Sequence, residues 1–252
     1  MSDITPPPPP PGGLTPPPGY TAYGGPGQVQ PGLQRIATIS KVLWIIMAVE
    51  IPLQLISAVL SWRLSNKAAD FVAGRITEDD FKAATRSPLT AIAGLLFLPI
   101  AVLTIVWMYR MAFNLKALGR TGLTWAPIWA IFGWFLPPCV IYAIPWLMFG
   151  ELWRASDPAV PMADPWWKRG RVTPLVHAWW VLYGLLPLIG IAGSANMFRR
   201  FQQNDLLAYA RQQQQHVGLN FALGLVSVAA AAVYMVLVRQ LSDRHMRTIN
   251  EI

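Results

Sequence analysis

A carboxylate stands where the chain is otherwise apolar. Glu50 lies near the middle of the run Val42 to Leu60, with Pro52 and Gln54 within the next turn. An ionised carboxylate at mid-depth in a bilayer costs about 2.5 kcal/mol or more on insertion scales, so its presence demands a reason. One reason is chemistry, a proton or cation bound on a transport path. The other is packing, a side chain hydrogen-bonded inside a bundle. A second polar set brackets a later apolar run. Arg110 and Asn114 are one helical turn apart at the end of the second run, and Glu151, Arg154 and Asp157, spaced by three, follow the third. Each spacing places its residues on one helix face. If the third run returns to the side it left, Arg110 is expected to pair with Glu151 and clamp that run to its neighbour. The alternative is an Arg110 that snorkels and a solvated Glu151. A direct Glu50–Arg110 bridge is not expected, because the two are ~15 Å apart along the helix direction.

Nothing else assembles into a reactive set. His177, His216 and His245 are far apart and lack a metal-ligand spacing, no serine sits in a G-x-S-x-G context, and the paired glycines near the start do not follow a strand. The lone Cys139 lies in an apolar run and reads as a small buried residue. The expectation is no catalytic residue, no metal and no cofactor, and hence no enzyme.

Composition says what surrounds these groups. Of 252 residues, 54% are hydrophobic and 13% charged, about half the charged share of a soluble domain. Too few charges remain to cover a globular surface, which makes lipid the solvent. Many of the 12 Trp residues fall near the ends of apolar runs, where an amphipathic ring suits the headgroup zone. The net charge of +8 is spread through short segments between those runs and forms no stripe, which argues against nucleic acid and for an anionic membrane surface.

The reading is an all-α polytopic membrane bundle behind a proline-rich tail. Residues 1–38 form the tail, with 11 of the 23 prolines interleaved with glycine, Tyr20 and Tyr23. Such a segment has no apolar face to bury and reads as a disordered, partly polyproline-II tether, or as a docking ligand for a protein partner. No secretory signal is expected in the first 35 residues. A single membrane domain follows over 39–245, with apolar segments near 42–60, 89–109, 123–150, 175–195 and 217–238. Four have the length of one crossing. The fifth, 123–150, would measure ~42 Å as one helix and is broken by Pro137 and Pro138. It either crosses once with a kink or re-enters as a hairpin. The positive-inside rule does not choose, because each model places 12 Lys/Arg inside and 8 outside. The connections 66–87 and 196–216 read as interfacial amphipathic helices. Gly190, Gly193 and Ser194, with Gly218 and Gly224, read as points of close helix approach.

From Arg110 onward the chain resembles a known family. Arg110, Asn114, Leu115, Leu118 and Gly119 lead into Trp134, Phe135 and Pro137; Pro145 follows, then Glu151 to Pro158 and the pair Trp166 and Trp167. Over roughly residues 40–245 this is similar to the bacterial, largely actinobacterial, membrane family called domain of unknown function 4328. The resemblance implies a multi-pass protein of the bacterial plasma membrane and carries no activity with it. The expected function is a structural or interaction module, with the tail in the cytoplasm. The competing expectation is a small transporter or channel built on Glu50 and the proline-broken segment.

Overall fold

The computed structural model describes residues 32–86, 88–135, 143–185 and 205–252, and every regular element among them is helical. In chain order these are α1 (Ala37–Val72), α2 (Glu78–Thr85), α3 (Pro88–Ala117), α4 (Trp129–Phe132) and α5 (Ala143–Ala155). A 3₁₀ turn (Pro165–Arg169) precedes α6 (Pro174–Trp179), which runs into a π-helical stretch, Trp180–Leu185. The chain closes with α7 (Leu206–Gln215) and α8 (Val217–Thr248). Three helices are long and apolar enough to cross a membrane: α1, the Gly94–Ala117 part of α3, and α8. Only 22–28% of their apolar windows is buried within the bundle. The remainder, including Leu95 at 73% and Leu98 at 68% exposure, faces outward as a lipid-facing surface would.

Each of these helices outruns the apolar segment expected for it. At 36 residues α1 is ~54 Å long, well beyond a ~30 Å hydrocarbon layer. It continues past Leu60 because Leu64, Ala68, Phe71 and Val72 keep an apolar stripe at helical spacing. That stripe packs on Phe81 of α2 and Tyr209 of α7, with Phe71 stacked on Phe81 at 4.9 Å. Gly74 stops the helix: at φ +70° it lets its own N–H reach Phe71 O and the Arg75 N–H reach Asp70 O, which closes a Schellman motif. The connection 66–87 is therefore split and not one amphipathic helix. Its second half, α2, starts at a capping box in which Thr77 and Asp80 satisfy each other's amides. α3 ends the same way as α1, at Gly119 with φ +74°.

The proline-broken segment comes back to the end it left. The Thr124 and Trp125 amides, at its start, bond the Glu151 carboxylate at its finish at 3.0–3.1 Å. A single crossing would hold those residues an apolar layer apart. Between them Gly133 lies against the returning arm, where a Cβ would come within 2.6 Å of Ile144. Pro137, Pro138 and Cys139 fall outside the described residues, as do residues 1–31 of the tail. The fourth expected span, 175–195, is described only to Leu185, and of the connection 196–216 only the part from Asp205. The tail's boundary moves slightly, since α1 already begins at Ala37.

The main core sits in one half of the bundle. Trp107, Met108 and Met111 of α3, Phe149 and Leu152 of α5, Trp179 of α6 and Leu237 and Leu241 of α8 close it with Leu43 and Met47 of α1. α1 and α8 run antiparallel and approach closely at Gly224, where a Cβ would lie 2.8 Å from that of Ala58. Gly218, by contrast, has open space and is no contact point. Gly190, Gly193 and Ser194 lie outside the described residues. Gly224→Val should force α1 and α8 apart and cost about 1–3 kcal/mol. A thermal unfolding midpoint in detergent equal to that of the parent would show that this contact does not set the helix spacing.

Candidate functional site

The polar residues expected to matter converge at one end of the bundle, where α1 begins and α3, α5 and α8 finish. Asn114, fully buried on the last turns of α3, does not face the third segment. Its Oδ1 accepts from the Gln34 amide at 2.8 Å and its Nδ2 donates to the Gln34 carbonyl at 2.8 Å. A side-chain amide here supplies the hydrogen-bond partners that a neighbouring peptide group would otherwise provide. Arg110, one turn earlier, donates from Nη1 to the Arg35 carbonyl at 2.8 Å. The two residues do share a face, but that face grips the N-terminal approach to α1. The expected Arg110–Glu151 pair does not form, because both Glu151 oxygens are taken by the Thr124 and Trp125 amides. An acceptor-only carboxylate meets two loop donors that have no other partner, and a cation is not needed.

The far terminus completes the cap. Asn250, at φ 56°, ends α8 in another Schellman turn, with Glu251 N–H on Met246 O at 2.8 Å. That turn aims the Glu251 carboxylate at the start of α1, where it accepts from the Ile36 and Ala37 amides at 3.0 and 3.2 Å. No local side chain caps α1, and a residue 215 positions away supplies the anion that a helix N-terminus favours.

The C-terminus of α5 receives the opposite charge. Arg120, 4% exposed, donates to the carbonyls of Ala155, Asp157, Val160 and Pro161 at 2.7–3.2 Å. Burial holds its guanidinium below the usual arginine range, while Asp157 and Asp164 act in the opposite direction. Arg244 of α8 bonds the Trp153 carbonyl at 3.0 Å and pairs with Asp157 at 2.6 Å. Asp157 lies beyond the end of α5, so it does not share a helix face with Glu151 and Arg154 as the spacing implied. Arg154 reaches the Lys168 carbonyl instead, tying α5 to the 3₁₀ turn. Thr248 Oγ1 takes the Ser156 carbonyl at 2.9 Å.

At the centre lies a contact that resembles a nucleophile and its base. Ser156 Oγ and His245 Nδ1 are 2.8 Å apart, and both residues are fully buried. Asn114 decides the chemistry. With its Oδ1 fixed on an amide, its Nδ2 must donate to His245 Nε2, 3.3 Å away. Nε2 is then the acceptor, so the ring proton sits on Nδ1 and points at Ser156. A general base needs a free lone pair toward the hydroxyl, which this tautomer does not offer. With both side chains fully buried, the cluster joins the end of α5 to α8.

Sequence spacing did not reveal Gln34, Arg120, Ser156, His245 or Glu251. For His245 a signal was present: Tyr234, Val238, Ser242, His245 and Ile249 mark one buried stripe of α8, with Trp107 donating to Ser242 at 3.0 Å. Glu50 is elsewhere, 5% exposed on α1, where Gln54 Nε2 donates to its Oε1 at 2.9 Å. Glu50 Oε2, Gln54 Oε1 and Ser57 Oγ, at successive turns, are buried without a partner. Among the described residues no group of three or more His, Cys, Asp or Glu converges.

The sequence signature described as Domain of unknown function (DUF4328) matches residues 77–243. No curated protein and no solved structure matches the chain. The matched range contains Arg110, Asn114, Glu151, Arg154 and Asp157 and excludes Gln34, Glu50, His245 and Glu251.

Two substitutions separate the parts of this joint. Asn114→Leu bares the Gln34 amide and carbonyl and should cost at least about 2 kcal/mol, with faster amide exchange over residues 34–40. Glu151→Ala should speed exchange at Thr124 and Trp125 and leave the start of α1 protected. Equal protection in variant and parent would remove the role assigned to either side chain.

Proposed function

The chain belongs to the DUF4328 family, and on that footing we propose that it is a multi-pass structural and interaction module of the bacterial plasma membrane. The observation that carries this reading is the anchoring of the tail's root. Gln34 and Arg35, directly after the proline-rich stretch, are held by Asn114 and Arg110, and the next amides by Glu251. The proline-rich segment thus continues from a fixed base, and a partner groove that reads proline-rich sequence would gain affinity from that anchoring. The same end carries 12 of the chain's 20 Lys and Arg residues, from Arg35 and Lys41 at the start of α1 to Arg244 and Arg247 near the end of α8. By the positive-inside rule this end, with the tail, faces the cytoplasm. The chain also passes from this end at Thr173 to the opposite end by Asp205, where α7 packs on α1, which supports a fourth crossing. Catalysis has no part in this reading.

A second reading has its own observation. The unpartnered oxygens of Glu50, Gln54 and Ser57 form a polar stripe inside an apolar helix, as a small transporter or channel requires.

Two experiments divide the readings. A photo-crosslinker at Tyr20 should trap a discrete partner in cells, and removal of residues 1–31 should abolish the association while leaving the thermal midpoint unchanged. Proton and sodium flux in liposomes should equal the empty-vesicle rate for both the parent and Glu50→Gln. Flux in the parent that Glu50→Gln abolishes would favour the transporter and sink the module.

A further inference from the structure

Lys41 and Arg239 are the first charges beyond the apolar runs of α1 and α8. The helices are antiparallel, and the register is fixed twice: Ala58 meets Gly224, and Ser40 and Ser242 line one groove, 18 residues away along each helix. That register sets Lys41 opposite Leu241, so Lys41 and Arg239 lie within about 3 Å of the same depth, where hydrocarbon gives way to headgroups. Between them is a groove of about 330 Å³, lined by Ser40, Lys41 and Trp44 of α1 and by Arg239, Ser242 and Asp243 of α8. This volume is at the small end of ligand pockets.

The groove holds donors and charges that the protein leaves unused. Neither Lys41 nor Arg239 has a carboxylate within ion-pair distance among the described residues, and Asp243 has no cation. Trp44 has no hydrogen-bond partner for its indole N–H among the described residues. Ser242 accepts from Trp107, which leaves its own hydroxyl proton free to donate into the groove. Four other charged side chains at this end are spent on backbone groups: Arg110, Arg120 and Arg244 on carbonyls, Glu251 on amides.

We propose that this groove binds a membrane phospholipid headgroup of the phosphoethanolamine class. The phosphate lies against Lys41 and Arg239, with Trp44 and Ser242 as further donors. The ammonium lies against Asp243. Two cations and one carboxylate match a ligand with one phosphate and one amine. A singly anionic headgroup without an amine leaves Asp243 unpaired beside a phosphate, and a quaternary amine has no N–H for it. Basic pockets between membrane helices are a recurrent way to hold lipid phosphates, and Trp is at home at that depth. The site needs α1 and α8 to lie in a bilayer and does not depend on what the tail recruits.

The test is native mass spectrometry of the full chain in detergent, titrated separately with phosphatidylethanolamine, phosphatidylglycerol and phosphatidylcholine of identical acyl chains. The expected result is one phosphatidylethanolamine retained per chain in preference to the other two. The double variant Lys41→Gln/Arg239→Gln should weaken retention roughly tenfold or more. Asp243→Asn should erase the preference over phosphatidylglycerol while retaining phosphate binding. Lys116→Gln/Arg247→Gln, which removes the same charge at the same end, should bind as the parent does. The Lys41, Arg239 and Asp243 side chains have no ion pair or hydrogen bond among the described residues, so these variants should unfold at the parent's midpoint. Equal loss in both double variants, an unchanged selectivity in Asp243→Asn, or equal binding of soluble phosphoethanolamine would each overturn the assignment.

Discussion

A helix cannot satisfy its own ends, and in this protein four helix ends meet in one place. The amides at the start of α1 and the carbonyls at the end of α5 would each be costly to leave bare beside lipid. Each is handed to a side chain from a different helix: α8 gives Glu251 to α1 and Arg244 to α5, α3 gives Asn114 and Arg110 to the approach to α1, and Arg120, just past α3, closes α5. The signs follow the helix dipoles, with a carboxylate at an N-terminus and guanidinium groups at a C-terminus. Because each donor and acceptor belongs to a separate element, no helix can slide or turn without baring a neighbour's backbone. This requirement fixes the relative placement of α1, α3, α5 and α8 more sharply than apolar packing does, since lipid competes well for apolar contacts and poorly for hydrogen bonds.

Two buried polar assemblies among the described residues differ in how they are satisfied. At the capped end, buried Asn114 spends both faces of its amide, and His245 is left one acceptor and one donor, each matched. On α1, Glu50 shares one oxygen with Gln54 and leaves the other bare, as are the Gln54 and Ser57 oxygens. A satisfied network is rigid, and the cost of breaking it is what makes it a structural element. The contrast separates a network that fixes the architecture at the capped end from a stripe in the middle of α1 that does not.

Much of the architecture is legible in the residues, for identifiable reasons. A long apolar run has one comfortable environment, so α1, α3 and α8 follow from composition. Their ends do not: helix-forming residues with an apolar stripe continue α1 past Leu60, and only Gly74 stops it. Arg110 and Asn114 were recognisable as a pair, but their target was not, because a donor face shows neither which acceptor it meets nor how far away in sequence it lies. Opposite charge suggests an Arg110–Glu151 pair. It does not form because a carboxylate among unpaired loop amides is already satisfied. Glu251 is the extreme case, a single exposed-looking acid at the chain's end whose partner is 215 residues away.

The limits of the family signature sharpen this point. The match to residues 77–243 stops before both partners of the terminal cap, Gln34 with the first amides of α1 on one side and His245 with Glu251 on the other. Those partners bind the matched core through Asn114 and Ser156 and bind each other through the Ile36 and Ala37 amides. A chain that lost the turn at Asn250 would strand the start of α1, and one that lost Gln34 would strand Asn114. The terminal segments are therefore coupled to each other as well as to the core between them. Gln34 and Arg35 therefore join the bundle where the ends of four helices are capped together and not at one frayed terminus.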